Sequence, residues 1–403
     1  MRIRNDRDVR RILKELAVIL DSIDLNQDKL EFEGLEIDAE EIELETTPQA
    51  SSQMISAKPA EKELEIKKFE PILKEWPQPI EEVPMGATKT DGGTRTKVVK
   101  LGGEKSMPFY PDAENPNKPV IAFDIFDSKI HLPSVISKHF EEVMDDPGEW
   151  AKKSVNEFDA EMVTIHLTST DPKGADTTPK EAAKSVEEVL EAVDVPIVVG
   201  GSGNPEKDPK VLKAAAEVAE DERCLLASAT LDLDWKTVAD AAMEHNHNVL
   251  AWTTMDINLQ KELNRKLLSY GVDRDRIVMD PTTAALGYGI EYSISAMQRI
   301  RMGGLGGDEE LNFPISNGVT NAWGAREAWM RASKSREKYG EEWGPRKFRG
   351  PMWEVCTGLS MLLSGSNLLM ELHPRAVVIL KEVINRMLEE DKEMTLYNSW
   401  ITM

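Results

Sequence analysis

The chain has 403 residues, 40% of them hydrophobic, which allows a substantial core in one large domain or a few small ones. Its formal net charge is −23, from 49 basic and 72 acidic residues, which argues against nucleic acid as the main partner. With only Cys224 and Cys356, the composition excludes a disulfide framework and any four-cysteine iron–sulfur or zinc site built from this chain alone.

No run approaches the roughly 18–20 apolar residues of a membrane span, and the charged opening MRIRNDRDVRR lacks a signal-peptide pattern. A cytoplasmic protein is therefore expected. Residues 4–20 place Val9, Ile12, Leu13, Leu16, Ile19 and Leu20 at helical spacing, which predicts one short amphipathic helix. Residues 28–47 are dominated by Glu with alternating apolar positions, as in edge strands or an acidic disordered segment, and 46–61 read as a linker. Residues 1–83 are thus expected to be an extension carrying a helix and an acidic segment.

Residues 84–118 change character. The pairs Gly92-Gly93 and Gly102-Gly103 flank a β-prone, basic run from Thr94 to Leu101, which predicts a β-hairpin or an extended arm. No GxxxxGK[ST] is present, so an arm that wraps a partner is favoured over a phosphate cradle.

Eight short apolar stretches follow, at 119–126, 162–167, 195–199, 224–227, 248–252, 276–279, 313–316 and 367–371. Helix-like segments lie between them, including 179–193, 209–219, 235–245, 259–270, 290–302 and 375–390, some opened by good caps such as Thr178-Pro179 and Asp208-Pro209. Near-unbroken apolar strands suit a parallel sheet covered on both faces. The alternation predicts an α/β fold, a (β/α)8 TIM barrel over 119–392, with 393–403 as a tail. The link from Trp323 to Met352 is long and holds Trp329 and Trp343, with Trp353 just beyond. It reads as a protein interface or as a local mini-core.

In such a barrel the site lies at the carboxyl ends of the strands. These ends offer Asp124, Asp127-Ser128, His166, Thr168 to Thr170, Gly200 to Asn204, Ser228, Thr230, Thr253-Thr254, Asp256, Asn258, Asp280 to Thr283, Ser316 to Gly318, Thr320-Asn321, Glu371 and His373. The rim is rich in hydroxyls and amides, with few cations and no lysine suited to Schiff-base chemistry. His166 and His373 are each either a general base or a structural histidine. His245 and His247 precede the fifth strand, on the stability face, and are discounted as a metal pair. The mouth suits a large ligand with many amides or a pterin-like heterocycle. Backbone N–H groups of Gly200–Gly203 also offer a place for one phosphate.

The stretch DPTTAALGYGIEYSISAMQRIRMGGLGGD, Asp280 to Asp308, resembles the signature of the corrinoid iron–sulfur protein small subunit, the delta subunit of the archaeal acetyl-CoA decarbonylase/synthase complex. The likeness extends through Gly86–Glu104, Pro119–Asp127, His245–Asn264 and Asn367–Pro374. It implies a barrel paired with a larger subunit that carries the iron–sulfur cluster, the two sharing a cobamide. It also implies methyl exchange with a pterin methyltransferase and with CO dehydrogenase/acetyl-CoA synthase components. On this reading no catalytic residue or metal ligand lies on this chain. Thr230, Asp256, Asp280, Thr282, Thr283, Gly287, Tyr288, Asn317 and Thr320 are expected to face the cobamide, bonding its side-chain amides and shielding the cobalt–methyl face. A pterin-dependent methyltransferase of the same barrel class is the alternative, with Asp256, Asn258, Asp280 and Ser316-Asn317 on the pterin edge. A phosphosugar-type barrel enzyme has only Gly200–Gly203 in its favour.

Overall fold

Apolar runs buried on both faces form the strands of the central sheet. In chain order they are β3 (Val120–Phe126), β4 (Met162–His166), β5 (Ile197–Gly200), β6 (Leu225–Ala229), β7 (Asn248–Trp252), β8 (Ile277–Asp280), β9 (Ser316–Gly318) and β10 (Leu368–Glu371). The computed structural model describes residues 74–108, 115–330 and 343–388. The predicted N-terminal helix, the acidic segment, the linker at 46–61 and the tail at 393–403 lie outside the described residues.

All eight strands are parallel, in the order β8-β7-β6-β5-β4-β3-β10-β9. The ring closes where the Met279 N–H donates to the Pro314 carbonyl at 2.8 Å, making a parallel bridge between Met279 and Ile315. The fold is a (β/α)8 barrel. Every second residue points into the lumen. Val120, Ala122, Met162, Val198, Leu225, Leu250, Val278, Leu368 and Met370 form one inner cluster there. The alternate set, including Ile121, Phe123, Val163, Ile165, Val199, Leu226, Val249 and Leu369, packs outward against the helices.

The helices among the described residues are α1 (Ser134–Ser137), α2 (Pro147–Phe158), α3 (Pro179–Ala192), α4 (Asp208–Val218), α5 (Trp235–Glu244), α6 (Ile257–Tyr270), α7 (Ile290–Leu305), α8 (Arg326–Trp329), α9 (Arg346–Leu363) and α10 (Pro374–Leu388). Their starts follow local chemistry. Thr178 and Glu181 form a reciprocal capping box on α3, and Asp146 accepts the Glu149 N–H at the start of α2. No helix among the described residues is long and apolar enough to cross a membrane.

The glycine-rich segment forms the expected hairpin, but it does not reach out as an arm. β1 (Val83–Met85) pairs antiparallel with β2 (Val99–Leu101), and Val83, Met85 and Leu101 complete the inner cluster from below. The hairpin plugs the amino-terminal end of its own barrel. Asn248 at the start of β7 donates to the Pro84 carbonyl at 2.8 Å, and the Gly86 N–H donates to the Arg223 carbonyl at 3.0 Å. Arg95 fixes the turn from within: buried, it pairs with Glu222 at 2.8 Å and donates to the carbonyls of Val193 and Leu190. The apolar residues of the hairpin are few, and they serve the end of the lumen that the barrel strands leave open.

The tryptophan-rich link divides between the two expected roles. Trp323 is buried, with its indole N–H on Glu354 at 2.6 Å, and Trp353 donates to the Leu286 carbonyl at 3.0 Å. Trp329 and Trp343 are exposed. Helix α9 begins at Arg346, inside the stretch read as link, because Gly350 and Pro351 obscure a helical pattern there. Gly350 itself is required by packing: a Cβ at that position would lie 2.1 Å from the Trp323 ring.

Candidate functional site

The apolar lumen ends one layer below the carboxyl edge, where polar residues take over the inward positions. On β3 the inward series Val120, Ala122 continues to Asp124; on β4 the series Met162 continues to Thr164 and His166. Asp124 is 1% exposed and register-paired with Thr164. Its Oδ2 lies 3.2 Å from His166 Nε2 and accepts the Thr320 hydroxyl at 2.5 Å. Its Oδ1 and the Thr164 hydroxyl are both buried without a hydrogen-bond partner. Burial alone would hold the His166 imidazole down, but the Asp124 carboxylate, aided by Asp127, outweighs it and raises the His166 pKa. The ring lies over Phe126, with centroids 5.2 Å apart, and its side chain keeps 27% exposure toward the mouth.

Across the mouth, β8 ends at Asp280. Its Oδ1 accepts the Thr282 N–H at 2.8 Å, yet burial pushes the carboxyl up to about 7, so near neutral pH it can donate as well as accept. Thr282 sits in the left-handed region at φ 66°, tied down by its hydroxyl on the Thr253 carbonyl at 2.7 Å and by Ser293 on its own carbonyl at 3.0 Å. Asn317 Nδ2 donates to the Thr283 hydroxyl at 2.9 Å, and Asn321 donates to the Thr283 carbonyl at 3.0 Å. The structure therefore pairs Asp280 with Thr282 and, beside them, Asn317 with Thr283. Asn317, register-paired with outward Leu369, stands behind the barrel wall and is fully buried.

The other expected site residues are dispersed. Thr320 joins the opposite group, on Asp124. The Thr230 hydroxyl accepts the N–H of Asp232 at 3.2 Å, within its own loop. Asp256 caps α6, accepting the N–H groups of Asn258 and Leu259 at 2.7 and 3.2 Å. Gly287 and Tyr288 stand on the outer rim, where Tyr288 is 51% exposed and donates to Glu327 at 2.9 Å.

Two other strand-end features are structural. The loop after β5 is not free for a phosphate: Ser202 donates its N–H and hydroxyl to Asp208 at 3.0 Å each, and the Gly203 N–H donates at 2.8 Å. The anion that this backbone binds is the carboxylate at the start of α4, which removes the one feature favouring a phosphosugar enzyme. His373 accepts the Arg375 N–H at 3.1 Å and stacks on Trp323, and burial holds its imidazole down at about 3. His247, on the stability face, bridges the Cys224 N–H and the Ala216 carbonyl at 3.1 and 3.0 Å, held down to about 4 by burial.

Glu354 carries no sequence signal, because it lies in the α9 stretch obscured by Gly350 and Pro351. Fully buried, it accepts the N–H groups of Leu372 and His373 at 2.5 and 3.0 Å and the Trp323 indole at 2.6 Å. It anchors the end of β10 to the tryptophan-rich wall. Beside it, burial and then the Glu354 carboxylate drive Glu371 well above the usual carboxylate range.

With this geometry in place, the comparisons decide the family. Residues 82–341, from the plug hairpin into the link after β9, match the family model described as CO dehydrogenase/acetyl-CoA synthase delta subunit. The chain belongs to that family. The acetyl-CoA decarbonylase/synthase complex subunit delta of Methanosarcina mazei is 56% identical over 331 residues, covering 82% of this chain and 76% of the relative. The protein of the same name from Methanocaldococcus jannaschii is 52% identical over 368 residues, covering 88% of each chain. Among solved structures, a dihydropteroate synthase from Xanthomonas albilineans is 15% identical, with a TM-score of 0.45 over 69% of this chain and 96% of its own. That likeness bears on neither ligand nor activity.

Proposed function

We propose that this delta-family chain is the small subunit of a corrinoid iron–sulfur protein within an acetyl-CoA decarbonylase/synthase complex. Its barrel mouth covers one face of a cobamide held jointly with a larger subunit. The observation that carries this reading, beside family membership, is the inward polar layer. It sets the Thr320 hydroxyl and His166 over the fully buried Asp124 Oδ1 and Thr164 Oγ1, which have no partner of their own, and at the end of β8 the Asp280 carboxyl, which burial keeps protonatable. Buried polar atoms are rarely left unpaired. A cobamide, whose edge carries carboxamides that both donate and accept, fits this donor set. The group, when bound, supplies the cobalt nucleophile for methyl transfer.

The chain's own residues then bind and shield. Asp280 and Thr320 offer hydrogen-bonding groups from opposite sides of the mouth, and Tyr288 provides an exposed aromatic at its rim. The cluster of such a protein would sit on the larger subunit, since Cys224 is a buried thiol pushed up to about 12 and Cys356 is half-buried. Tyr292, 65% exposed on α7, and the exposed Trp329 and Trp343 give the surface for docking the larger subunit and the methyltransferase and acetyl-CoA synthase components. A second reading, a pterin methyltransferase acting alone, is favoured by one observation: the Asp280 carboxyl, pushed up to about 7, at the inward end of β8.

The test is cobamide retention in the assembly of the full chain with its larger subunit, prepared without oxygen and passed over a sizing column. Tyr288→Ala and Thr320→Val should each lose most of the bound corrinoid while the assembly persists. Full retention in both variants would contradict the proposal, and tetrahydropterin binding by the lone chain would favour the second reading.

A further inference from the structure

We propose that Trp252 is a ligand-contact residue of the mouth: its ring packs against the methyl- and carboxamide-bearing edge of the cobamide, and its indole N–H donates to a carboxamide oxygen there. This rests on the reading above and adds a named contact on the β7–β8 side. Strand alternation fixes the direction of the side chain. Leu250 belongs to the inner cluster, whereas Val249 and Ala251 pack outward against the helices. Trp252, two residues beyond Leu250 and the last of β7, therefore turns inward at the carboxyl edge. Its register partner is Asp280, which follows inward Val278 in the same way.

A tryptophan turned into a fold is usually packed, with its N–H on an acceptor. Trp323 stacks on His373 and donates to Glu354, Trp235 meets the Tyr270 ring, and Trp353 donates to the Leu286 carbonyl. Trp252 does none of this. It is half-buried and joins neither apolar cluster, and among the described residues its indole meets no ring and no hydrogen-bond acceptor. Nor is that N–H sealed from solvent. A broad apolar face with one donor at its tip suits a ligand that sets apolar groups beside an acceptor oxygen. A corrin edge, with methyl groups beside carboxamides, offers both together. A small anion offers the ring no apolar surface, and the net charge of −23 opposes it.

The experiment measures hydroxocobalamin binding by equilibrium dialysis, using the full chain assembled with its larger subunit, and the unfolding temperature of the same assembly without ligand. Trp252→Ala, which removes ring and donor, should weaken binding about thirtyfold, the size of a hot-spot contact. Trp252→Phe, which keeps an apolar ring but not the donor, should weaken it about fivefold, as for one lost neutral hydrogen bond. Neither variant should lower the unfolding temperature by more than about 2 °C, because the ring completes no cluster of the core. If both variants bind as tightly as wild type, the Trp252 assignment is wrong and the cobamide reading stands. If binding falls only together with the unfolding temperature, Trp252 is a structural residue and the assignment is equally wrong. If the wild-type assembly binds no hydroxocobalamin, the cobamide reading fails and this inference falls with it.

Discussion

Two buried polar groups, Arg95 at the floor of the barrel and Asp124 beneath its mouth, are treated in opposite ways. At the floor, Arg95 spreads its guanidinium over the Glu222 carboxylate, the Thr94 hydroxyl and the carbonyls of Val193, Val195 and Leu190. At the mouth, Asp124 is as deeply buried but keeps one oxygen without a partner, and its register neighbour Thr164 keeps its hydroxyl without one. A group whose bonds are complete serves folding. A buried group left short of bonds costs stability, and such costs concentrate where a ligand will complete the set. The hairpin closes the end that needs no access; the opposite end stays open.

That contrast can be broken first at the floor. Arg95→Ala would leave Glu222 buried without its cation and should cost about 3–5 kcal/mol in denaturant unfolding, the usual penalty for removing one partner of a buried pair. A loss below about 1 kcal/mol would mean the floor is not held this way.

At the mouth the sign reverses. The Asp280 carboxyl is raised from 3.8 to about 7. Its folded form holds a proton that the unfolded chain releases, so the stability this group contributes is fully present below about pH 4 and is lost as pH rises to about 7. Asp280→Asn, which can still accept the Thr282 N–H, should match wild type at pH 4 and exceed it above pH 7 by up to about 4 kcal/mol, from 1.36 kcal/mol per unit. Stability curves against pH that run parallel for the two proteins would remove Asp280 from the strained layer. The smallest effect is expected at Thr164→Val, which replaces an unpartnered buried hydroxyl with a methyl group. It should stabilise the chain by about 1 kcal/mol in thermal unfolding, whereas a loss would show that the hydroxyl is satisfied within the fold.

The difference between the two ends also explains what the sequence made legible. The barrel strands are buried on both faces, so Val120–Phe126 or Ile277–Asp280 can hardly be anything but apolar runs, and their ends mark the mouth. Asp280, Thr282 and Thr283 follow directly from β8. The plug was hidden because only Val83, Met85 and Leu101 carry it, in a segment whose glycines and lysines look like an exposed arm. Asp256 shows how a strand-end acid can be a helix cap, since the same residue type serves both needs. Glu354 was out of reach, because its meaning lies in contacts with Leu372, His373 and Trp323 that no local spacing announces. The Asp124–His166 pair lies between these cases: both residues stand at strand ends in the sequence, but only the register of β3 with β4 joins them.

The proposal that a cobamide shared with a larger subunit completes the open mouth of this barrel has a visible signature. The most direct measurement is the absorption spectrum of the protein purified without oxygen, together with whatever chains accompany it. Corrin bands and a larger, cysteine-rich companion are expected in the same fraction. A colourless chain that travels alone, binds a tetrahydropterin and methylates added cobalamin would contradict the proposal.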